Sequence, residues 1–270
     1  MDKGTVAGLA VSFGGITAGL LLEGGKLAQI LQPTAALIVG GGTLGAVLLQ
    51  FPLSTVFTAF RSLRTVFFEP RSSASDEITR LTELAHKARR DGIISLDAEL
   101  NQIADPFMRR ALMLAVDGTE SSELRAIMQL ELDASAEAED ELPRVYEALG
   151  GFAPTIGIIG AVLGLIQVMQ HLDKMDEVGR GIAVAFVATI YGVGFANLIA
   201  LPIAGKLRQR QRFRQILREL TLEGVVSILE GINPRMLEAK LNGFIRQAAD
   251  RTGLASQPKS APQSQARRAS

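Results

Sequence analysis

Gly150–His171 and Gly181–Gly205 contain no Asp, Glu, Lys or Arg. At about 1.5 Å per residue, each can cross a hydrocarbon core of about 30 Å. Neither is uniformly greasy. Pro154, Thr155, Gln167, Thr189, Tyr191, Asn197 and Pro202 are spread among Gly and Ala. A helix facing only lipid has no use for such residues, whereas one packed on other helices, or lining a wet path, has.

Two further uncharged runs lie near the N-terminus. Gly4–Leu22 is too long for the core of a cleavable signal, and no A-x-A site precedes Glu23. It is expected to be the first span, with Gly8, Ser12 and Gly19 on a close-packed face. The short connection Glu23–Lys26 then suggests a helical hairpin. Leu27–Phe60 is longer than one span needs. The second span is expected over Thr34–Phe51, with Pro33 near its start and its helix continuing towards Arg61. Pro52 marks a kink or the end of the buried part.

Within that span Gly40, Gly42 and Gly45 match G-x-G-x-x-G. Nucleotide binding would need a preceding strand, a following amphipathic helix and a ribose-binding acid. The motif instead sits inside an uncharged run, so close helix packing is expected.

Between the two hairpins, Arg61–Glu147 is densely charged. Leu81, Leu84 and Ala88 give helical spacing over Ser75–Arg90, which Gly92 interrupts. Leu96–Val116 and Glu123–Leu149 are expected as further amphipathic helices. The acids Glu137, Glu139, Asp140 and Glu141 suggest a solvated face. After Pro202 come Lys206, Arg208, Arg210, Arg212, Arg214 and Arg218. No aromatic stacking pattern accompanies them, so nucleic acid is not the expected partner. The positive-inside rule accounts for them and places this end in the cytoplasm, with both chain termini. Helices are expected to about Leu229 and from Pro234 to about Ala249.

The expected fold class is all-α: a polytopic membrane protein with four transmembrane helices and a cytoplasmic helical domain. Residues 1–60 form a transmembrane hairpin with spans at 4–22 and 34–51. Residues 61–147 form the cytoplasmic domain. Residues 148–205 form a second hairpin, with spans at 150–171 and 181–205 joined by Leu172–Arg180. Residues 206–250 form a basic helical tail, and 251–270 are expected to be disordered.

The absence of cysteine excludes disulfides and thiolate metal sites, and only His86 and His171 are present. No metal centre, cofactor or enzymatic nucleophile–base set is expected. The spans carry no interior carboxylate, so the chain alone is poorly equipped to relay protons. Composition leaves two possibilities open: a packed scaffold, or half of a path whose titratable group a partner supplies.

FAPTIGIIGAVLGLIQ and IAVAFVATIYGVGFANLIALPIAGKL resemble the third- and fourth-span signatures of the MotA family of flagellar stator proteins. The resemblance extends over about Asp2–Gln247. MotA belongs with ExbB and TolQ in a proton-channel superfamily. Those relatives have three spans, and an energiser of an envelope protein on their pattern is the alternative function. The resemblance implies a bacterial inner-membrane motor subunit that forms an ion channel, for protons by the argument below. Its implied partners are further copies of itself in a pentamer, and a single-span MotB-type protein bearing a membrane Asp. The rotor protein FliG receives the torque. One charge crossing 100 mV yields about 2.3 kcal/mol, which suits many small steps.

By the same resemblance Pro154, Pro202 and Thr189 match positions near the ion path. ARRDGIISLDAEL matches the stretch that meets FliG, with Arg89, Arg90 and Asp97 at its charged positions and Glu99 nearby. Sodium-driven members carry Thr where this chain has Ala161 and Ala188. A dehydrated sodium ion needs several oxygen ligands and alanine offers no side-chain oxygen, so protons are expected.

Overall fold

The computed structural model describes residues 3–67 and 73–252. Ten α-helices run in order among them. They are α1 (Lys3–Leu22), α2 (Pro33–Gln50), α3 (Leu53–Phe67), α4 (Ala74–Asp91) and α5 (Asp97–Leu100). After these come α6 (Pro106–Val116), α7 (Ser121–Gln170), α8 (Met175–Phe195), α9 (Leu201–Leu229) and α10 (Pro234–Thr252). Four are long and apolar enough to cross a membrane: Gly4–Leu22, Pro33–Gln50, Ser121–Gln170 and the continuous helix Met175–Leu229. The chain is therefore an all-α protein with four membrane-spanning helices. It divides into two compact units, Met1–Arg71 with Glu131–Gln215, and Ser72–Leu130 with Ile216–Ser270. The expectation of disorder over 251–270 lies, from residue 253 on, outside the described residues; α10 itself reaches Thr252.

The first unit holds the spans. α2 starts at Pro33, where a missing N–H costs nothing, and buries Ala35, Val39, Thr43 and Val47 at steps of four. Val39 and Ala35 pack on Val187 and Ala188 of α8. Thr43 is 2% exposed, and its hydroxyl has no hydrogen-bond partner among the described residues. The helix does not continue through Pro52. Phe51, forced out of the helical region by the proline after it, takes φ −123° and ψ 146°, and α3 starts afresh. Beyond this break Val56, Ala59, Val145, Tyr146, Leu149, Ala200 and Leu207 form a buried cluster. The Tyr146 hydroxyl donates to Ala59 O at 2.8 Å.

Of the acidic run on α7, Glu137 and Glu141 are exposed, as the sequence suggested, while Glu139 and Asp140 are half-buried. Glu139 pairs with Arg214 at 3.2 Å and Glu147 with Arg208 at 2.7 Å. Two runs read separately in the sequence thus become opposite faces of one contact between α7 and α9. Exposed pairs of this kind contribute about 0–1 kcal/mol each, so they fix register more than they stabilise.

The second unit has a helical core of its own. Leu81, Leu96, Met108, Leu112, Leu124, Met128, Leu220, Leu237 and Leu241 are fully buried. Gly224 lies against Leu81, where a Cβ would come within 2.6 Å of its side chain. α4 is capped by Ser73, whose hydroxyl accepts from Asp76 N at 3.3 Å. The single helix expected over Leu96–Val116 is in fact broken. Asp105 accepts from Phe107 N at 2.7 Å and from Met108 N at 3.2 Å, and Pro106 follows at the first helical position. That pair is a helix start, so α6 begins there.

Candidate functional site

Two groups of residues were singled out by the sequence, and each lies in a different unit. In the first unit α7 and α8 meet along a seam of small residues. A Cβ on Gly157 would stand 2.9 Å from Ala188 O and 3.3 Å from Gly192 Cα. One on Gly160 would stand 2.8 Å from Ala188 Cβ, and one on Gly164 would be 2.9 Å from both Ala185 N and Gly181 O. The helices touch backbone to backbone, the close approach that spans use when no hydrophobic force separates protein from lipid. The spacing Gly157, Gly160, Gly164 on one helix and Gly181, Ala185, Ala188, Gly192 on the other was visible in the sequence but was not singled out.

Thr189 borders this seam. Its Cα lies 3.5 Å from the position a Cβ on Gly157 would take. It is half-buried, and its hydroxyl donates to Ala185 O at 3.2 Å, which leaves the oxygen's lone pairs able to accept from a water. On α7, Pro154, Gly157 and Ala161 fall at i, i+3 and i+7 and so share a face. Pro154 and Ala161 are both half-buried. Pro154 lacks an N–H, which leaves Gly150 O without its usual helical donor. Ala188 is fully buried against Gly160, so a larger side chain there would have to spread the helices.

Pro202 is not brought to this place. It is exposed and borders a crevice with residues of α1 and α3. Immediately before it, Ala196–Ala200 form a π turn, closed by Leu201 N–H donating to Ala196 O. The wider turn shifts the hydrogen-bond register just where the proline can donate nothing, and such turns recur at functional sites. Tyr191 has its hydroxyl engaged elsewhere: it donates to Ile30 O at 2.6 Å and accepts from Gln32 N at 3.3 Å, tying α8 to the entry of α2. Of the glycine motif on α2, only Gly42 packs within the chain, against Ile156; Gly40 and Gly45 face open space, as do Gly8 and Gly19 on α1.

In the second unit Gly92, at φ 83°, turns the end of α4 into a short 3-10 helix, Ile93–Leu96, and then α5. Arg89, Arg90 and Asp97 are exposed. Arg90 pairs with Asp91 at 2.9 Å, and that hydrogen bond holds the Asp91 carboxyl below the usual carboxylate range. Glu99 is half-buried and engaged by Lys87. Between these charges Ile94 is 74% exposed, an apolar contact point the sequence reading passed over. An exposed isoleucine is ordinary alone; ringed by charges on a tight turn, it fits an interface.

The MotA/TolQ/ExbB proton channel family model matches residues 99–219, and the Motility protein A N-terminal model matches 6–92. Motility protein A of Bacillus subtilis (strain 168) is 34% identical over 258 residues, 95% of each chain. The chain belongs to the motility protein A family. Solved MotAB structures agree along nearly its whole length. One from C. jejuni has a TM-score of 0.86 at 29% identity, covering 97% of this chain and 98% of that one. One from Bacillus subtilis has a TM-score of 0.84 at 34% identity, covering 94% and 100%. The four spans and the helical second unit are thus the architecture of a motility protein A.

Proposed function

We propose that this chain is a flagellar motor stator subunit that, with a MotB-type partner, forms a proton channel and turns proton flow into torque. The observation that carries this is a pairing of facts. The chain matches the MotA architecture end to end, while its own spans offer a half-buried hydroxyl, Thr189, beside a tight seam and no carboxylate. A proton path needs a titratable group, and a single-span partner bearing an Asp supplies it. Ala161 and Ala188 give no oxygen for a dehydrated sodium ion, which favours protons. Pro154 and Thr189 then border the path on this side, and Pro202 sets the geometry of the fourth span beyond the π turn.

The apolar side chains of Ile159, Val162, Ile166 and Phe186 are left exposed by the chain itself. An uncovered band of this kind suits further copies around a shared axis, a pentamer in this reading, and lipid outside. The same scheme places the chain in the inner membrane with both termini cytoplasmic, and gives Arg89, Arg90, Asp97 and Ile94 to the contact with FliG. It describes a channel and force-transmitting subunit, with no catalytic role.

Swimming driven by this stator in a strain lacking other stators tests the ion assignment. It should persist in sodium-free medium and collapse on addition of a protonophore. Thr189→Ala should lower torque while the protein still assembles, and Thr189→Ser should be milder. Torque that scales with external sodium at fixed proton-motive force would overturn the proton assignment.

A further inference from the structure

Two prolines lie inside α7, Pro143 and Pro154. A proline has no N–H to donate, so the carbonyl four residues before it loses its usual helical donor and the helix bends more easily there. For Pro143 that carbonyl is Glu139 O. A substitute donor comes from another helix: the side-chain amide of Gln211 on α9 donates to Glu139 O. Pro143 is buried and Gln211 half-buried, so the bond is partly shielded from water.

The amide sits within a short ladder between the two helices. Glu147 pairs with Arg208 on one side of it, and the Glu139 carboxylate pairs with Arg214 on the other. Asp140 and Arg144, which bracket the proline in sequence, pair at 2.8 Å. These ion pairs join partly exposed side chains and weaken with salt. The neutral amide instead closes the gap in the backbone ladder itself.

The contact has a definite place. Gly150 opens the third uncharged run and Lys206 follows the fourth. Pro143 precedes Gly150 by seven residues and Gln211 follows Lys206 by five. At about 1.5 Å per residue, the contact lies within about 10 Å of the ends of both spans. The fourth span and α9 belong to one continuous helix, Met175–Leu229. A shift of the third span against the fourth therefore reaches this contact within about two turns.

We propose that Gln211 is a positioning residue that replaces the hydrogen bond Pro143 removes, so that α7 passes the proline without hinging and moves with α9 as one body. With this clasp closed, displacement at the spans is carried along both helices. With it open, α7 flexes at Pro143 and absorbs the displacement. The clasp stands on the geometry of this chain, while its effect on torque rests on the stator reading.

The test is a cycle of variants of the full-length chain in lipid nanodiscs. Gln211→Leu keeps the bulk and loses the donor, and Pro143→Ala gives Glu139 O a backbone donor again. Hydrogen exchange read by mass spectrometry over residues 139–147 needs no partner protein. Gln211→Leu should speed exchange there about fivefold, the loss of one hydrogen bond, and should have almost no effect once Pro143→Ala is present. Gln211→Glu, of the same shape but with an acceptor facing an acceptor, should match Gln211→Leu. Swimming on soft agar should fall with Gln211→Leu and recover when Pro143→Ala is added. If Gln211→Leu lowers membrane amounts as well, Pro143→Ala should restore those too. Equal effects of Gln211→Leu with and without Pro143, or exchange that Gln211→Leu leaves unchanged, would overturn the clasp. Exchange that follows the cycle while swimming does not would overturn its part in torque. A wild-type chain that drives no swimming at all would fail the stator reading, and the exchange cycle would still decide the clasp.

Discussion

Glu223 shows what a single carboxylate does in the second unit. Burial raises its pKa, but hydrogen bonds from Lys240 and Arg125, the latter at 2.8 Å, outweigh burial and hold it below its ordinary value of 4.5. A depressed carboxylate contributes stability that is fully present above 4.5 and is lost as pH falls through its folded value. Glu77 runs the other way. Burial raises it despite the Thr221 hydroxyl that donates to it at 2.7 Å, so its charge opposes folding at neutral pH. Glu223→Gln should therefore lower the thermal midpoint at neutral pH and flatten the acid side of the stability curve below 4.5, followed by far-ultraviolet circular dichroism. A variant that loses stability equally at every pH would show that the pair acts through packing alone.

At the scale of elements, the α7–α8 seam carries the first unit. Gly164→Val places a branched side chain against backbone that leaves 2.9 Å for a Cβ. The helices would have to separate, so membrane levels of the variant should fall sharply, measured by immunoblot of isolated membranes. Gly45→Val, with nothing within 4 Å, should be tolerated far better in the isolated chain. Normal amounts of Gly164→Val would refute the close seam. The four apolar runs were plain in the sequence because lipid demands unbroken hydrocarbon length, and their helices follow. The break at Phe51 is half legible: Pro52 marks a kink or an end, and the restriction a proline puts on the residue before it decides for the break. Asp105–Pro106 is a helix start written in the sequence, masked by an apolar period that runs through it. The pairing of Glu139 with Arg214 was not legible, because nothing local says which distant face a charge will meet. The same holds for Pro202: that it borders a crevice with residues of α1 and α3 is set by distant elements and not by its local sequence.

At the scale of the whole molecule, function depends on surfaces that meet other proteins. If the turn after α4 contacts FliG, reversing Arg89 and Asp97 together should reduce swimming on soft agar while membrane levels stay normal. Complementary reversal in FliG should restore part of it, because opposite charges steer and register such contacts. Arg90 should matter less than Arg89, since Asp91 already balances it. Undiminished swimming of the double reversal would remove this turn from the contact. The unsupported state of α1 has a consequence for how it is held. None of Gly4–Leu22 is buried by the rest of the chain, so this helix must hold its place in a bilayer on its own apolar length. Helices that insert independently and associate afterwards can be gained or lost with little disturbance to those already packed. The seam between α7 and α8 does not involve α1, so a shorter chain without it could keep the same heart. A change confined to the first span should therefore leave the α7–α8 pair packed as it is.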